Sequence, residues 1–489
     1  MATGRSVLAV VMLAPVVLTV ATANAQTPLE QKPAPPAYTP VRWNENYSYL
    51  KDPAHRADRW DALKFISLGP EDWYVSVGGQ ARYRFESFSN ENFGAIRNEW
   101  GYALQRYMLH LDAHFGPHLR FFIQGKSALV DDGREPVPPA TTIGPRPPDA
   151  DEADLQQAFL DIRLPLGKDW ATLRFGRQEL IYGAQRLIGP LDWANVRRTF
   201  EGVKISLQFG ARHSVDAFLV RPVVVEREEC NDGDGNTTFG GVYATLAVPE
   251  RMLSGNAKIE AFGLGLWRQT RLPAGRDRDD EIYTLGSRLS ASPRPFDYDI
   301  EAAGQLGKSG DLDVSAFSIA FEGGYTCSDL AFTPRVFLGL DYASGDRDAG
   351  DSRLQTFNQL FPTGHLFFGY IDVIGRQNII DVHPGMELIL LQNRRYVKKL
   401  TFRVDYHWFC RASGDDGLYN AAGALLRPDS DTDARFVGSE LDLLLIWQLD
   451  RHTQLYLGYS HFFPGRFIHE SDGPDDDIDY AYAAVTFTF

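Results

Sequence analysis

The sequence predicts an all-β fold, a single antiparallel sheet of about 18 strands closed into a transmembrane barrel. Three observations predict it. Long segments alternate apolar and polar residues with period two, the pattern of a strand with one apolar and one wet face. The links between these segments are mostly short and long in turn. The chain closes on Val485-Thr486-Phe487-Thr488-Phe489, an alternating stretch that ends in an aromatic residue.

A chain of 489 residues would ordinarily divide into two or three domains. One large closed sheet takes up that length instead. Residues 1–25 read as a secretory signal peptide: Arg5 is the basic start, Val7 to Val20 the apolar core and Ala23-Asn24-Ala25 the cleavage motif. The apolar run is interrupted by Pro15 and Thr19 and falls short of the ~20 residues that a spanning helix needs. Residues 26–72, Pro-rich at first, read as a periplasmic N-terminal segment lying against the main body, and 73–489 as the barrel. Cys230, Cys327 and Cys410 have neither paired nor metal-ligand spacing, so no disulfide framework is expected. The net charge of −15 argues against a nucleic-acid partner.

The first clean strand places Trp73, Val75, Val77, Ala81, Tyr83 and Phe85 on one face, with Ser76, Gln80, Arg82, Arg84 and Glu86 on the other. The same split recurs from Lys399 to Arg411. The expected strands are 73–87, 102–115, 118–130, 154–164, 170–179, 201–209, 213–225, 238–248, 256–269, 281–292, 297–307, 313–325, 333–343, 385–392, 399–411, 436–449, 453–463 and 479–489. Many exceed the ~5–6 residues usual in soluble sheets. Short turns on one rim and long loops on the other are the pattern of a bacterial outer-membrane barrel, with the short turns periplasmic and the long loops extracellular. Pro222 implies a bulge or an earlier strand end. Residues 308–312 make one outer link unexpectedly tight.

With the apolar faces toward lipid, the other faces line a lumen wide enough for water. The early strands turn Arg82, Arg84, Arg106, Arg120, Lys126, Arg163 and Arg174 inward, against Glu86, Asp112 and Asp161. The later strands turn Asp299, Glu301, Glu322, Asp341, Glu387, Glu440 and Asp442 inward, against Arg288, Arg335 and Arg403. These charges either pair into ladders across neighbouring strands or form a basic strip that attracts anions through the focused field of a narrow channel. Two loops are too apolar to stand in water, 180–200 and 344–384, and both are expected to fold into the lumen. The first lies in the stretch Leu173 to Val203, which carries Arg174, Arg177, Arg186, Arg197 and Arg198. Arg82, Arg84, Arg106, Arg120, Arg163, Arg174, Arg177, Arg186 and Arg403 are the candidate path residues. His110, His114 and His407 sit on lumenal faces without triad or metal-ligand spacing, so no catalytic residue, cofactor or metal is expected. Asp232 to Asn236 resembles part of a calcium loop but lacks the distal glutamate, and an ordinary acidic turn is favoured.

Four stretches carry a resemblance: Tyr47 to Gly69, Val77 to Glu86, Leu173 to Val203 and Thr356 to Asn378. On these the mature chain resembles the alginate-export family of outer-membrane barrels. The resemblance implies a monomeric barrel of eighteen strands whose arginine-lined constriction conducts an anionic polysaccharide outward. By it, Arg82, Arg84, Arg174 and Arg177 become the foremost candidates for the polymer path. The chain departs from that pattern in turning about as many acidic as basic residues inward. The expected function is an outer-membrane channel for passive passage of an anionic polysaccharide or oligosaccharide; the alternative is a substrate-selective porin for uptake of small anions or sugars. Expected partners are the anionic polymer or solute, outer-membrane lipid and lipopolysaccharide, barrel-assembly machinery reading Phe489, and periplasmic export proteins.

Overall fold

A computed structural model describes residues 37–95, 97–131, 149–210, 212–227, 229–271, 277–429 and 432–489. The signal-peptide expectation, the start of the N-terminal segment and most of the link at 131–153 lie outside these residues. Eighteen strands form the barrel, and each pairs antiparallel with its neighbours in sequence. They are β1 (Trp73–Glu91), β2 (Arg97–Phe115), β3 (Leu119–Asp131), β4 (Asp151–Leu166), β5 (Asp169–Gln178), β6 (Phe200–Phe209), β7 (His213–Pro222), β8 (Thr237–Ala247) and β9 (Lys258–Arg271). The second half is β10 (Asp277–Ala291), β11 (Phe296–Ser309), β12 (Leu312–Thr326), β13 (Arg335–Ala343), β14 (Ile379–Arg394), β15 (Val397–Cys410), β16 (Phe436–Gln448), β17 (Thr453–Pro464) and β18 (Ile478–Thr488). The sheet closes where β1, already paired with β2, takes β18 on its other edge, Arg82 facing Thr486. Closure removes the open edge that hydrocarbon cannot tolerate.

The alternation of the sequence becomes an inside and an outside. On β1, Trp73, Tyr83 and Phe85 are exposed on the outer surface, whereas Ser76, Arg82, Arg84 and Glu86 are buried within. Leu109, Leu219, Leu285, Leu306 and Leu457 continue the exposed apolar surface around the wall. Such a belt is stable only against an apolar surrounding. No helix among the described residues is long and apolar enough to cross a membrane. The buried core is therefore inside the barrel, where wall residues such as Phe200, Phe239 and Tyr482 pack with Leu180, Ile188, Phe357 and Phe368 of the loops. Cys230, Cys327 and Cys410 are all free.

Several strand limits differ from the sequence reading: the strand expected at 73–87 runs on to Glu91, that at 102–115 begins at Arg97 and that at 281–292 begins at Asp277. The strand expected at 385–392 runs from Ile379 to Arg394, which shortens the second apolar loop to 344–378. Its alternation is interrupted at Pro384, which the ladder passes in register with Leu338, and again by a bulge between Ile389 and Leu391. The strand expected at 213–225 ends at Pro222. Proline has no N–H to continue a ladder, and the next two amides bond instead to Thr199 O and Asp232 O. The tight link at 308–312 is a real turn, in which Gly310 adopts φ 59°.

The outward face sets the first test. Leu285→Arg, at the middle of β10, is expected to lower stability in phospholipid vesicles by about 2–4 kcal/mol, whereas Leu246→Arg, at the end of β8, costs about 0–1 kcal/mol. Reversible denaturant unfolding of the two variants measures the difference.

Candidate functional site: a strap across the lumen

The short-turn end of the lumen is occupied by the N-terminal segment. Arg42 donates to Gly79 O at 3.0 Å and Phe489 O at 2.8 Å, which ties residues 37–65 to both strands of the barrel seam. Arg120 donates to Trp43 O at 2.6 Å. The Trp43 ring lies 3.9 Å from the Arg174 guanidinium. Trp60 packs on the ring of Phe489, with centroids 4.6 Å apart. Lys64 is buried and donates to Val77 O at 3.0 Å, with the Tyr47 ring 5.1 Å away. Burial, reinforced by the nearby Arg42 charge, pulls its pKa down to about 7 against the opposing pull of Glu45.

The loop between β5 and β6, residues 179–199, crosses the lumen as a strap. It leaves β5 through Gly176 at φ 125°, where a Cβ would stand 2.2 Å from Ala158 O. Tyr182 then donates to Asp216 on β7 at 2.8 Å and stacks on Tyr243 of β8 at 4.6 Å. Arg186 reaches Asp299 on β11 at 2.6 Å. From there the strap returns to the seam. Leu191 holds the left-handed conformation, φ 54°, which is costly for a side chain of its size. That bend turns the carbonyls of residues 192–194 toward three wall arginines. Arg82 donates to Asp192 O and Ala194 O, each at 2.9 Å. Arg106 donates to Asp192 O at 2.9 Å, and Arg84 donates to Trp193 O. The Asp192 carboxylate accepts from Arg106 at 2.9 Å and from Arg197 at 2.7 Å. Its loss of water alone would raise its pKa, although the side chain is only half-buried, but Arg197, Arg106 and Arg82 outweigh this and hold it well below the usual carboxylate range. Asn195 Nδ2 donates to Gln105 O, Leu129 O and Asp149 O, which fastens the strap to β2 and β3.

The second loop, 344–378, locks onto the strap. Gly189 N donates to Phe361 O, Phe361 N to Leu187 O and Thr363 N to Gln185 O, each at 2.9 Å. Phe361 packs edge-on to Phe200 and Phe239. His365 stacks on Trp193 at 4.0 Å. Arg198 bonds Gly189 O at 3.1 Å and Pro362 O at 3.0 Å, joining the two loops. Among the described residues no carboxylate pairs with it, and burial lowers its pKa only to about 10, so it stays cationic at neutral pH.

The nine arginines of the sequence reading therefore fall into separate groups. Arg82, Arg84 and Arg106 converge on the strap and are buried by it. Arg174 grips Asp161 with two bonds of 2.7 Å, and Arg120 grips Asp112 in the same way. Arg177 bonds Asp154 at 2.9 Å and Glu201 at 2.8 Å. Arg163 lies over Trp170 near the short-turn rim, 4.9 Å from its ring. Arg186 belongs to the far anchor of the strap. Arg403 is remote from all of these and bonds Asp405 at 2.7 Å.

Arg403 also belongs to a band of charge that is open to lumenal water in part, at Arg403 and Arg335, while Asp405 and Glu260 are buried. Arg335 bonds Asp297 and Glu322, and all three side chains are between a fifth and a third exposed. Arg403 and Arg335 flank the Phe337 ring at 4.9 and 4.8 Å. Arg288 pairs with Glu260 and Asp299. From β9 to β15 the band spans roughly 30 Å of wall at the usual strand spacing. Sequence reasoning placed Arg288 and Arg335 inward but not in the path. Asp192 and Arg197 were legible only as loop charges.

A closed eighteen-strand barrel with an apolar belt, a charged lumen and infolded loops defines an outer-membrane channel. The family model for alginate export matches residues 73–480, and the chain belongs to the alginate-export family. No curated protein matches the sequence. Among solved structures, OpdK of Pseudomonas aeruginosa with vanillate is 10% identical with TM-score 0.55, over 84% of this chain and 98% of that one. A BenF-like porin from Pseudomonas fluorescens Pf-5 is 11% identical with TM-score 0.56, over 85% and 98%. OccK8 (OprE) of Pseudomonas aeruginosa is 13% identical with TM-score 0.54, over 85% and 98%.

Two tests follow from the lumenal contacts. The docked Lys64 binds its proton less tightly than the free side chain, so docking of residues 37–65 strengthens as pH rises from about 7 toward 10.5, by up to about 1.4 kcal/mol per unit. Hydrogen exchange of the segment is expected to slow over that range, and Lys64→Met to abolish the slope. Asp192, by contrast, stays ionised to strongly acid pH, so its ion pairs with Arg106 and Arg197 hold and the strap's hydrogen-exchange protection should be flat between about pH 5 and 8. Asp192→Asn is expected to release the strap, giving larger and noisier single-channel currents in planar bilayers.

Proposed function

We propose that the channel passes an anionic saccharide, either a polymer or a short oligomer, along the band from Arg403 through Arg335 to Arg288. The observation that carries this reading is the partial exposure of Arg335, of its partners Asp297 and Glu322, and of Arg403 to lumenal water. A passing carboxylate can exchange with Asp297 or Glu322 on Arg335, or reach the open side of Arg403 while Asp405 stays buried beneath it, because a guanidinium fork suits carboxylates and stays charged. The exchange keeps each arginine paired, which favours passage over tight retention. Arg82, Arg84 and Arg174 then act on selectivity indirectly, by fixing the strap and the N-terminal segment that narrow the lumen, and Arg177 by tying β4 and β6 to the loop at Asn231. Residues 37–72 face the periplasm in this reading, and assembly machinery reads Phe489 before Trp60 and Arg42 cover it.

A second reading, uptake of small carboxylates, draws support from the interlocked loops, which leave less room than an open bore. One structural neighbour was crystallised with vanillate, a small aromatic carboxylate.

Reversal potentials in planar bilayers test the band. Arg335→Glu with Arg403→Glu is expected to shift preference from anions toward cations, and Asp297→Asn with Glu322→Gln to shift it the other way; unchanged potentials would place the band off the path. Block of the current by oligouronates that deepens with chain length supports the saccharide. Entry of vanillate into proteoliposomes without such block supports small-anion uptake. In cells, polysaccharide retained in the periplasm of a deletion strain marks export.

A further inference from the structure

Near the band, the wall carries a concentration of chemistry that the proposed path does not use. Asp381 and His383 alternate onto the lumenal face of β14, and His407 lies beside them on β15. Asp381 Oδ2 is 2.7 Å from His383 Nδ1 and 2.9 Å from His407 Nδ1, with the two imidazoles 4.7 Å apart. On β16, Glu440 stands in register with His407, and Asp442 with Asp405. His407 Nε2 lies 3.7 Å from Asp442 Oδ2. All six side chains are buried.

The charges of this cluster do not balance. Four carboxylates, those of Asp381, Asp405, Glu440 and Asp442, are faced by the Arg403 guanidinium on Asp405 and by two imidazoles. Among the described residues, one buried oxygen of each carboxylate accepts from no N–H or hydroxyl group: Asp381 Oδ1, Asp405 Oδ1, Glu440 Oε2 and Asp442 Oδ2. Buried, unsatisfied carboxylate oxygens are costly, and a cation among them would satisfy several at once.

The donor set decides which cation. Calcium and magnesium take oxygen ligands, whereas two imidazoles and a carboxylate suit zinc and its transition-metal neighbours. Donor atoms of Asp381, His383 and His407 all lie within 4.8 Å of one another. A tetrahedral ion with bonds of ~2.1 Å spaces its ligands roughly 3.4 Å apart, so small side-chain rotations suffice. Gly339, in register with His383 on β13, makes room for the imidazole, since a Cβ there would stand 1.8 Å from His383 Nε2.

We propose that Asp381, His383 and His407 bind a divalent transition-metal cation of the zinc type, with Asp442, whose Oδ2 lies 3.7 Å from His407 Nε2, as a further donor. The site lies under the second loop, whose Ile371 N donates to Glu440 at 3.0 Å. A bound ion thereby braces the floor on which that loop rests.

The test uses the full-length barrel purified in detergent and stripped with chelator. Calorimetric titration with Zn2+ is expected to show one ion per barrel, and Co2+ to give the visible absorption of a tetrahedral site. His383→Ala and His407→Ala should each weaken Zn2+ binding by about tenfold or more. Gly339→Ala, which keeps every donor but displaces the imidazole, should weaken it as well. Wild-type protein that binds Zn2+ no more tightly than the double His383→Ala/His407→Ala variant overturns the proposal. Heat-modifiability on gels checks that each variant is folded, and His383→Gln serves if the alanine variant is not.

Discussion

The lumen of this barrel is organised by one electrostatic constraint. The register of β1 and β2 places Arg82 directly opposite Arg106, and Arg84 follows on the same face. Like charges in that position repel, and a low-dielectric surrounding strengthens the repulsion. Water could screen them in an open bore. Here the strap supplies Asp192, the carbonyls of residues 192–194 and the Trp193 ring, which lies 4.0 Å from the Arg84 guanidinium. The wall therefore holds the strap, and the strap in turn makes the wall stable.

The rest of the interior follows from that arrangement. The far end of the strap is carried to Asp299, on the opposite side of the lumen, and the second loop fastens onto its middle. With the N-terminal segment beneath, the wall of the early strands is covered. The wall of the later strands keeps Arg335, Asp297, Glu322 and Arg403 partly in water. A barrel of this width would by itself be an unselective hole, so discrimination among solutes rests with what fills it and with the charges left uncovered.

Much of the fold could be read from the chain. All eighteen strands were legible, since a strand's two faces are written in its own residues. Limits differed where that local signal was broken, at Pro384 and the following bulge and at Pro222, and where strands run on past the expected ends, as at Glu91, Arg97 and Asp277. Infolding of two loops was legible because their apolar residues have no stable place in water. The division of labour among arginines was not. Arg82 and Arg403 look alike in sequence, each inward on an alternating strand, yet one is buried under the strap and the other faces water. The Asp381, His383 and His407 cluster had a faint signal, because His383 and His407 are placed symmetrically about the turn between β14 and β15. The break at Pro384 obscured that symmetry.

The sequence by itself determined the barrel, its lipid and lumenal faces, the rim that bears long loops, and the inward direction of its charges. Each of these is a local property, set by period-two geometry and by the cost of leaving apolar residues in water. Only the tertiary structure decided which charges meet which. Asp192 lies 110 positions from the Arg82 guanidinium that its carbonyl accepts from. No spacing rule spans that separation, because the meeting depends on closure of the sheet and on the path of the strap through the lumen.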